Sequence, residues 1–87
     1  MTSKSMSNAE LNELKQRYVA NGAASPAGQF AARAENAELW DVEGNRYIDF
    51  VGGIGVLNTG HRHPKVIEAA KAQEDHYTHT SFQVVPY

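Results

Sequence analysis

The stretch Val51-Gly52-Gly53-Ile54-Gly55-Val56-Leu57-Asn58-Thr59-Gly60-His61-Arg62-His63-Pro64 decides how this chain folds, and it holds four of the seven glycines. Glycine reaches backbone angles that other residues avoid, and it lets another surface approach closely. Three of these glycines surround one large aliphatic residue, Ile54. Two interpretations stay open. The glycines form only a strained turn between a strand and a helix, as in most glycine-rich loops, or they also hold Ile54 against a ligand or a neighbouring chain.

The known phosphate-binding patterns do not fit this stretch. The spacing from Gly55 to Gly60 matches the start of the Walker pattern, but His61 and Arg62 stand where a lysine and a hydroxyl residue are needed. The dinucleotide-binding pattern fails as well, because Asn58 occupies the position of its third glycine. The glycines therefore do not indicate a nucleotide site of either kind.

Length, charge and composition set broad limits on the protein. The 87 residues form at most one small domain with a marginal core of its own. The net charge of −2 gives no electrostatic reason to expect nucleic acid. No apolar run approaches the ~20 residues of a membrane span, and the absence of cysteine excludes a disulfide framework. We expect a cytoplasmic protein with neither nucleic acid nor membrane as a partner.

The first third of the chain reads as a tail, a helix and a linker, which together form the segment 1–29. Ser7 and Glu10 fit a capping box, so we predict a helix over 8–20 after a loose tail. The following residues, 23–29, contain Ser-Pro-Ala-Gly and predict a linker.

Three short strand candidates follow at 30–35, 39–42 and 46–50, and they predict an antiparallel meander. Trp40 is the expected packing anchor, since a buried tryptophan removes a large area from water.

A second helix is predicted over 64–75, because proline is favoured at the first helical position and His63 precedes Pro64. The residues 78–87 read as an extended apolar tail. The predicted class is α+β, with 30–87 as part of a small domain.

The four histidines and the hairpin carboxylates are candidate sites of chemistry. The histidine pairs, two and three residues apart, lack a carboxylate or cysteine at a fixed zinc-ligand spacing, so we predict no metal. His61 is expected to hold the glycine loop by hydrogen bonds, since neutral imidazole both donates and accepts. Asp41, Glu43 and Asp49 are expected to form turns and carry surface charge rather than act as acid and base.

Several motifs resemble the class III aminotransferases. The run from Trp40 to Phe50 reads Trp-Asp-Val-Glu-Gly-Asn-Arg-Tyr-Ile-Asp-Phe and is similar to that family's hairpin motif. The run Asn58-Thr59-Gly60-His61-Arg62-His63-Pro64 follows in the family's order, and the ending Ser81-Phe82-Gln83 resembles the 4-aminobutyrate aminotransferase branch. The resemblance covers about 30–87 of this sequence.

The resemblance implies part of the small domain of a fold type I enzyme that uses pyridoxal phosphate and acts as a homodimer. It places Ile54 and Gln83 in the substrate site and the region Asn58–His61 near the dimer interface. It assigns no catalytic, cofactor-binding or metal-binding residue to these 87 positions, because the family's cofactor-binding lysine and phosphate loop lie beyond Tyr87. We therefore expect a fragment that joins the rest of a parent chain.

The implied reaction moves an amino group from 4-aminobutyrate, or a similar ω-amino acid, to 2-oxoglutarate, and the fragment itself is expected to be inactive. Two alternatives stay open. One is a class III aminotransferase with another donor, such as ornithine or acetylornithine. The other is a self-standing interaction module without enzymatic activity.

Overall fold

The computed structural model describes residues 5–23 and 25–87. Helix α1 spans Asn8–Tyr18, and strands β1, β2 and β3 span Ala31–Glu35, Glu38–Asp41 and Arg46–Ile48. A single turn, α2, covers Gly52–Gly55, and helix α3 spans Pro64–Glu74. The strands form one antiparallel sheet in the order β1-β2-β3. The predicted meander between two helices is confirmed.

The capping box at the start of α1 is confirmed. The Glu10 amide donates to Ser7 Oγ over 3.1 Å, and the Ser7 amide donates to Glu10 Oε2 over 2.8 Å. The helix ends at Tyr18, two residues before the predicted end, because Val19 adopts an extended conformation. Residues 1–4 of the predicted loose tail and residue 24 of the predicted linker lie outside the described residues.

The sheet has a regular β2–β3 pairing and an irregular edge. Leu39 lies opposite Tyr47, while the β1–β2 register shifts between Ala31 and Arg33, which is a β-bulge. Strand β3 ends at Ile48 rather than at residue 50. The side chain of the next residue, Asp49, accepts a hydrogen bond from the Gly52 amide, which belongs to the following turn.

Trp40 is not the buried anchor that the sequence predicted. Its side chain is partly exposed, and the Arg33 guanidinium lies 3.6 Å from the ring centroid, a cation–π contact with the directly opposite residue. No hydrophobic residue among those described is buried. The prediction fails because the described part of the chain supplies no second layer to cover the sheet.

The buried residue of the described chain is a carboxylate, Asp41, which is 2% exposed. Its two oxygens accept five hydrogen bonds of 2.9 to 3.2 Å. The donors are the amides of Glu43 and Asn45 and the side chains of Asn8, Asn45 and Tyr47. Asp41 thus forms the hairpin turn, as predicted, but it does not carry surface charge.

The same cluster joins α1 to the sheet. The Asn8 side chain donates to Asp41 and accepts from the Phe30 amide over 2.8 Å, and the Asn8 amide donates to Glu43 Oε2 over 2.9 Å. Burial raises the pKa of Asp41, but the hydrogen bonds from Asn45 and Asn8 lower it more, so the net pKa lies well below its usual range. The ionised carboxylate is therefore the form that the fold stabilises.

The last ten residues do not extend as predicted. The Val84 amide donates to the Ser81 carbonyl over 2.8 Å, which closes a turn. The Tyr87 ring then packs edge-to-face on Tyr77 and Phe82, with ring centroids 5.8 and 5.9 Å apart. These aromatic contacts favour the folded tail over an extended one.

The chain is open for its length. Its radius of gyration is 17.1 Å, whereas a compact domain of this length has about 12 Å. Many large apolar side chains are exposed, including Phe50 at 93%. Such surfaces mark places where other protein packs. None of the described helices is long and apolar enough to cross a membrane.

We predict that Asp41→Asn lowers the melting temperature of the protein at neutral pH, because an amide cannot accept all five hydrogen bonds. The folded state lowers the pKa of Asp41, so its stabilisation is present above the unfolded pKa of about 4 and is lost as pH falls below it. The difference in melting temperature between wild type and variant should therefore shrink below about pH 4. Calorimetric melts from pH 7 to pH 3 measure it.

Glu74→Gln, which removes an exposed carboxylate of α3, serves as the control and should shift the melting temperature little at any pH. An Asp41→Asn protein that melts like wild type at pH 7 would contradict the role assigned to the cluster.

Candidate functional site

The glycine-rich stretch belongs to a closed loop, residues 49–61, whose two ends are bound to the β1–β2 hairpin turn. At one end, the Asp49 amide donates to the Ala37 carbonyl over 2.8 Å. At the other, Asn36 and His61 exchange two backbone hydrogen bonds of 2.9 and 2.8 Å. A compact loop with its ends held together in this way is a frequent functional element. We call it the clasped loop.

The α2 turn at the start of the clasped loop is left-handed. The four residues Gly52–Gly55 have φ angles of 56°, 65°, 66° and 71°. The Gly55 amide donates to the Val51 carbonyl over 2.9 Å, which closes the turn. At Gly53, a β-carbon would lie 2.9 Å from Val56 Cγ2 at a φ of 65°. The glycines are therefore needed for the backbone path, and the strained turn predicted from the sequence is confirmed.

Ile54 is the non-glycine residue of this turn. It adopts φ 66° and ψ 57°, and its side chain is 88% exposed. A β-branched residue in this region is a genuine conformational outlier, and such strain costs about 1–3 kcal/mol. Packing within this chain does not explain the isoleucine, since it is not buried here. The turn displays an apolar side chain outward at a conformational cost.

Asp49 and His61 connect the start of the turn to the end of the clasped loop. Asp49 Oδ1 accepts from the Gly52 amide over 2.9 Å, and Asp49 Oδ2 lies 2.6 Å from His61 Nε2. Both hydrogen bonds lower the pKa of Asp49, and the bond from the Gly52 amide has the larger effect. The predicted loop-holding role of His61 is confirmed. Asp49 forms a turn as predicted, but the prediction that it carries surface charge is wrong, because its carboxylate is largely buried between these two partners.

Gly60 lets the loop approach the hairpin turn. Its φ is 78°, and a β-carbon there would lie 3.0 Å from the carbonyl oxygen of Asn36. That oxygen accepts from the next residue, His61, so it cannot move away without breaking the clasp.

The remaining predicted residues lie outside the clasped loop. His63 caps α3 as expected, since its Nδ1 accepts from the Lys65 amide over 3.2 Å and Pro64 opens the helix. Gln83 is exposed in the turn closed by Ser81 and Val84. Among the described residues no hydrogen bond joins this turn to the one that carries Ile54. The structure places both side chains at the surface.

A groove of about 560 Å³ lies elsewhere, between β1 and α3. Its lining includes Arg33, Glu35, Arg62, Glu68 and Lys71, a mixture of both charge signs. Neither Ile54 nor Gln83 lines it. Its mixed charge selects no ligand class, so we do not assign the site to this groove. Within residues 5–23 and 25–87, no group of three or more histidine, aspartate or glutamate side chains is placed to hold a metal ion.

The sequence that contains the clasped loop is similar to known proteins. The sequence matches the family described as aminotransferase class-III over residues 18–87. The chain belongs to the class-III aminotransferases. This confirms the resemblance seen in the hairpin and Asn-Thr-Gly-His motifs.

Two similar proteins are aminotransferases named for different amino donors. The chain is 51% identical over 81 residues to the 4-aminobutyrate aminotransferase GabT of Escherichia coli (strain K12). The matched region covers 93% of this chain and 19% of that protein. The chain is also 51% identical over 83 residues to the 5-aminovalerate aminotransferase DavT of Pseudomonas aeruginosa, covering 95% and 20%. The chain therefore spans about a fifth of the length of these relatives.

Solved structures confirm the fold. The chain superposes on the ornithine aminotransferase of Toxoplasma gondii with a TM-score of 0.81 at 31% identity, covering 88% of this chain and 18% of that one. The acetylornithine aminotransferase of Elizabethkingia anophelis gives a TM-score of 0.79 at 34% identity, covering 85% and 18%. The α+β segment is thus part of a fold type I aminotransferase.

The sequence predicted a turn at Asp49 but not its link to the Gly52 amide. A signal for it was present, because an aspartate shortly before a glycine run is placed to accept from the backbone of the following turn.

We predict that Gly60→Ala destabilises the protein by about 1–3 kcal/mol, the cost of backbone strain at a positive φ. The added methyl group also meets the Asn36 backbone. Gly22→Ala is the matched control, because a β-carbon there meets nothing within 4 Å, and such a change is neutral or stabilises by at most about 1 kcal/mol. Chemical denaturation of both variants checks the difference, and equal midpoints would contradict the clasp.

Proposed function

We propose that the whole protein transfers the amino group of 4-aminobutyrate, or of a similar ω-amino acid, to 2-oxoglutarate. The 51% identity to a 4-aminobutyrate and to a 5-aminovalerate aminotransferase supports a donor with an unbranched chain of methylenes. The observation that carries the proposal is Ile54, an apolar side chain displayed at 88% exposure on a strained turn. Such a side chain suits contact with methylene groups.

We assign substrate contact to Ile54 and Gln83. Ile54 offers apolar surface to the methylenes of the donor, and the Gln83 amide offers a hydrogen bond to a polar group of the substrate. Neither side chain has a titratable group, so neither moves a proton. Both are exposed in this chain and therefore accessible to a ligand bound between these residues and the remainder of the protein.

We propose pyridoxal phosphate as the cofactor of the whole protein, where it supplies an electron sink for the exchange of amino groups. The described residues of this chain do not fit it. Lys65 and Lys71 are exposed on α3, and Lys15 donates to the Ser25 carbonyl over 3.1 Å. We therefore place the cofactor site in other parts of the protein and expect no transaminase activity from these 87 residues alone.

We further propose that the whole protein is a homodimer. The exposed apolar side chains of this chain support extensive packing against other protein, either the remaining domains or a second copy.

We predict that Ile54→Ala in the whole protein lowers kcat/KM for 4-aminobutyrate about tenfold to two-hundredfold. This range corresponds to about 1–3 kcal/mol of transition-state binding lost in a small apolar pocket. Ile54→Tyr narrows the pocket and adds a hydroxyl group, so it should shift preference toward ornithine, which carries a second amino group. Steady-state kinetics with both donors measure the two effects.

The control is Val66→Ala, which shortens another exposed aliphatic side chain, on α3, and should leave the donor ratio unchanged. Thermal melts of all variants separate packing from substrate contact. A lowered melting temperature with an unchanged donor ratio in both Ile54 variants would show that Ile54 is a packing residue.

A further inference from the structure

The direction of the Ile54 side chain is not fixed by packing within this chain. The clasped loop holds its apolar side chains outward, with Phe50 at 93% and Ile54 at 88% exposure. The backbone that carries Ile54 is also strained, at φ 66° and ψ 57°. A strained conformation persists only where the surroundings determine it. Some other interaction must therefore hold this turn in place.

The turn's own backbone hydrogen bonds, from Gly55 to Val51 and from Val56 to Gly52, are joined by side-chain hydrogen bonds that converge on one carboxylate. Asp49 Oδ1 receives the Gly52 amide, which is the first amide of the left-handed turn, and Asp49 Oδ2 lies 2.6 Å from His61 Nε2. The two side chains are 14% and 21% exposed, so water competes little for these bonds. Ile54 follows Gly52 by two residues, so a change at Asp49 passes to Ile54 through a single turn of backbone.

The two ends of the clasped loop are held by backbone hydrogen bonds that do not involve these side chains. The backbone of His61 exchanges two hydrogen bonds with Asn36, and the backbone of Asp49 donates to Ala37. Removing the His61 side chain therefore leaves both loop ends attached to the hairpin turn. What it removes is the partner that fixes the Asp49 carboxylate beneath Gly52.

We propose that Asp49 and His61 are positioning residues that set the amino-donor preference of the enzyme by fixing the direction of Ile54. The proposal rests on the proposed substrate contact of Ile54. It differs from that contact because neither Asp49 nor His61 needs to touch the substrate. Their effect on donor choice passes through the turn.

A double-mutant cycle in the whole protein tests the proposal. The variants are His61→Ala, Ile54→Ala and the pair together, and the measured quantity is the ratio of kcat/KM for 4-aminobutyrate to that for ornithine. His61→Ala should change this ratio about twofold to thirtyfold, the range for residues that act through a contiguous contact. In the Ile54→Ala background, His61→Ala should change the ratio no further, because the side chain through which it acts is missing.

Two more variants separate positioning from stability. His61→Gln keeps a side-chain donor for Asp49 and should recover part of the wild-type ratio, and it also serves if His61→Ala does not fold. Asp41→Asn removes a carboxylate whose hydrogen-bond donors among the described residues all lie outside the clasped loop. It should lower the melting temperature and leave the donor ratio unchanged.

The outcomes distinguish the two proposals. If Ile54→Ala changes the donor ratio but neither His61 variant does, the positioning role is overturned and the substrate contact of Ile54 stands. Additive effects in the double variant also overturn it, since His61 would then act by another route. If Ile54→Ala itself leaves the ratio unchanged, the substrate contact fails and the positioning role fails with it.

Discussion

The fold of this chain depends on a buried carboxylate that accepts five hydrogen bonds. Asp41 closes the β2–β3 turn through two backbone amides and holds α1 through the Asn8 side chain. A buried charge is costly unless it is fully paired, and here its pairing determines which elements meet. In most domains an apolar core holds the elements together. Here a hydrogen-bond acceptor, the Asp41 carboxylate, does so and also fixes the position of α1 relative to the β2–β3 turn. α1 has to begin where it does because Asn8 must reach both Asp41 and Phe30.

A second carboxylate plays the same part at the opposite end of β3. The Asp49 side chain joins the α2 turn to His61, while the backbones of Asp49 and His61 are hydrogen-bonded to the β1–β2 turn. Hydrogen bonds therefore hold the local structure of the described chain, and many of its apolar side chains remain exposed. This division is consistent with a segment that spans about a fifth of its relatives. The hydrogen bonds shape the segment and leave many of its large apolar side chains exposed.

Much of the local structure was predictable because short-range rules decide it. The capping box at Ser7 and Glu10 and the proline at the start of α3 each depend on residues a few positions apart. Trp40 was mispredicted because its burial depends on a layer that these residues do not contain. The terminal tail was mispredicted because its turn is set by contacts among Tyr77, Phe82 and Tyr87 that no periodicity encodes. The handedness of the glycine turn was also beyond the sequence, since glycine permits either sign of φ.

The backbone of the left-handed turn at Ile54 suits a D-residue better than the L-isoleucine that occupies it. Ile54 adopts backbone angles that are unfavourable for L-residues and, by mirror symmetry, favourable for their D-enantiomers. A D-residue at this position would relax the backbone, but its side chain would leave the α-carbon on the other side of the chain. The strain at Ile54 and the direction in which its side chain points are therefore two results of the same stereocentre. Glycine at this position would lose the strain but has no side chain to display, so isoleucine is displayed in this direction only at a conformational cost.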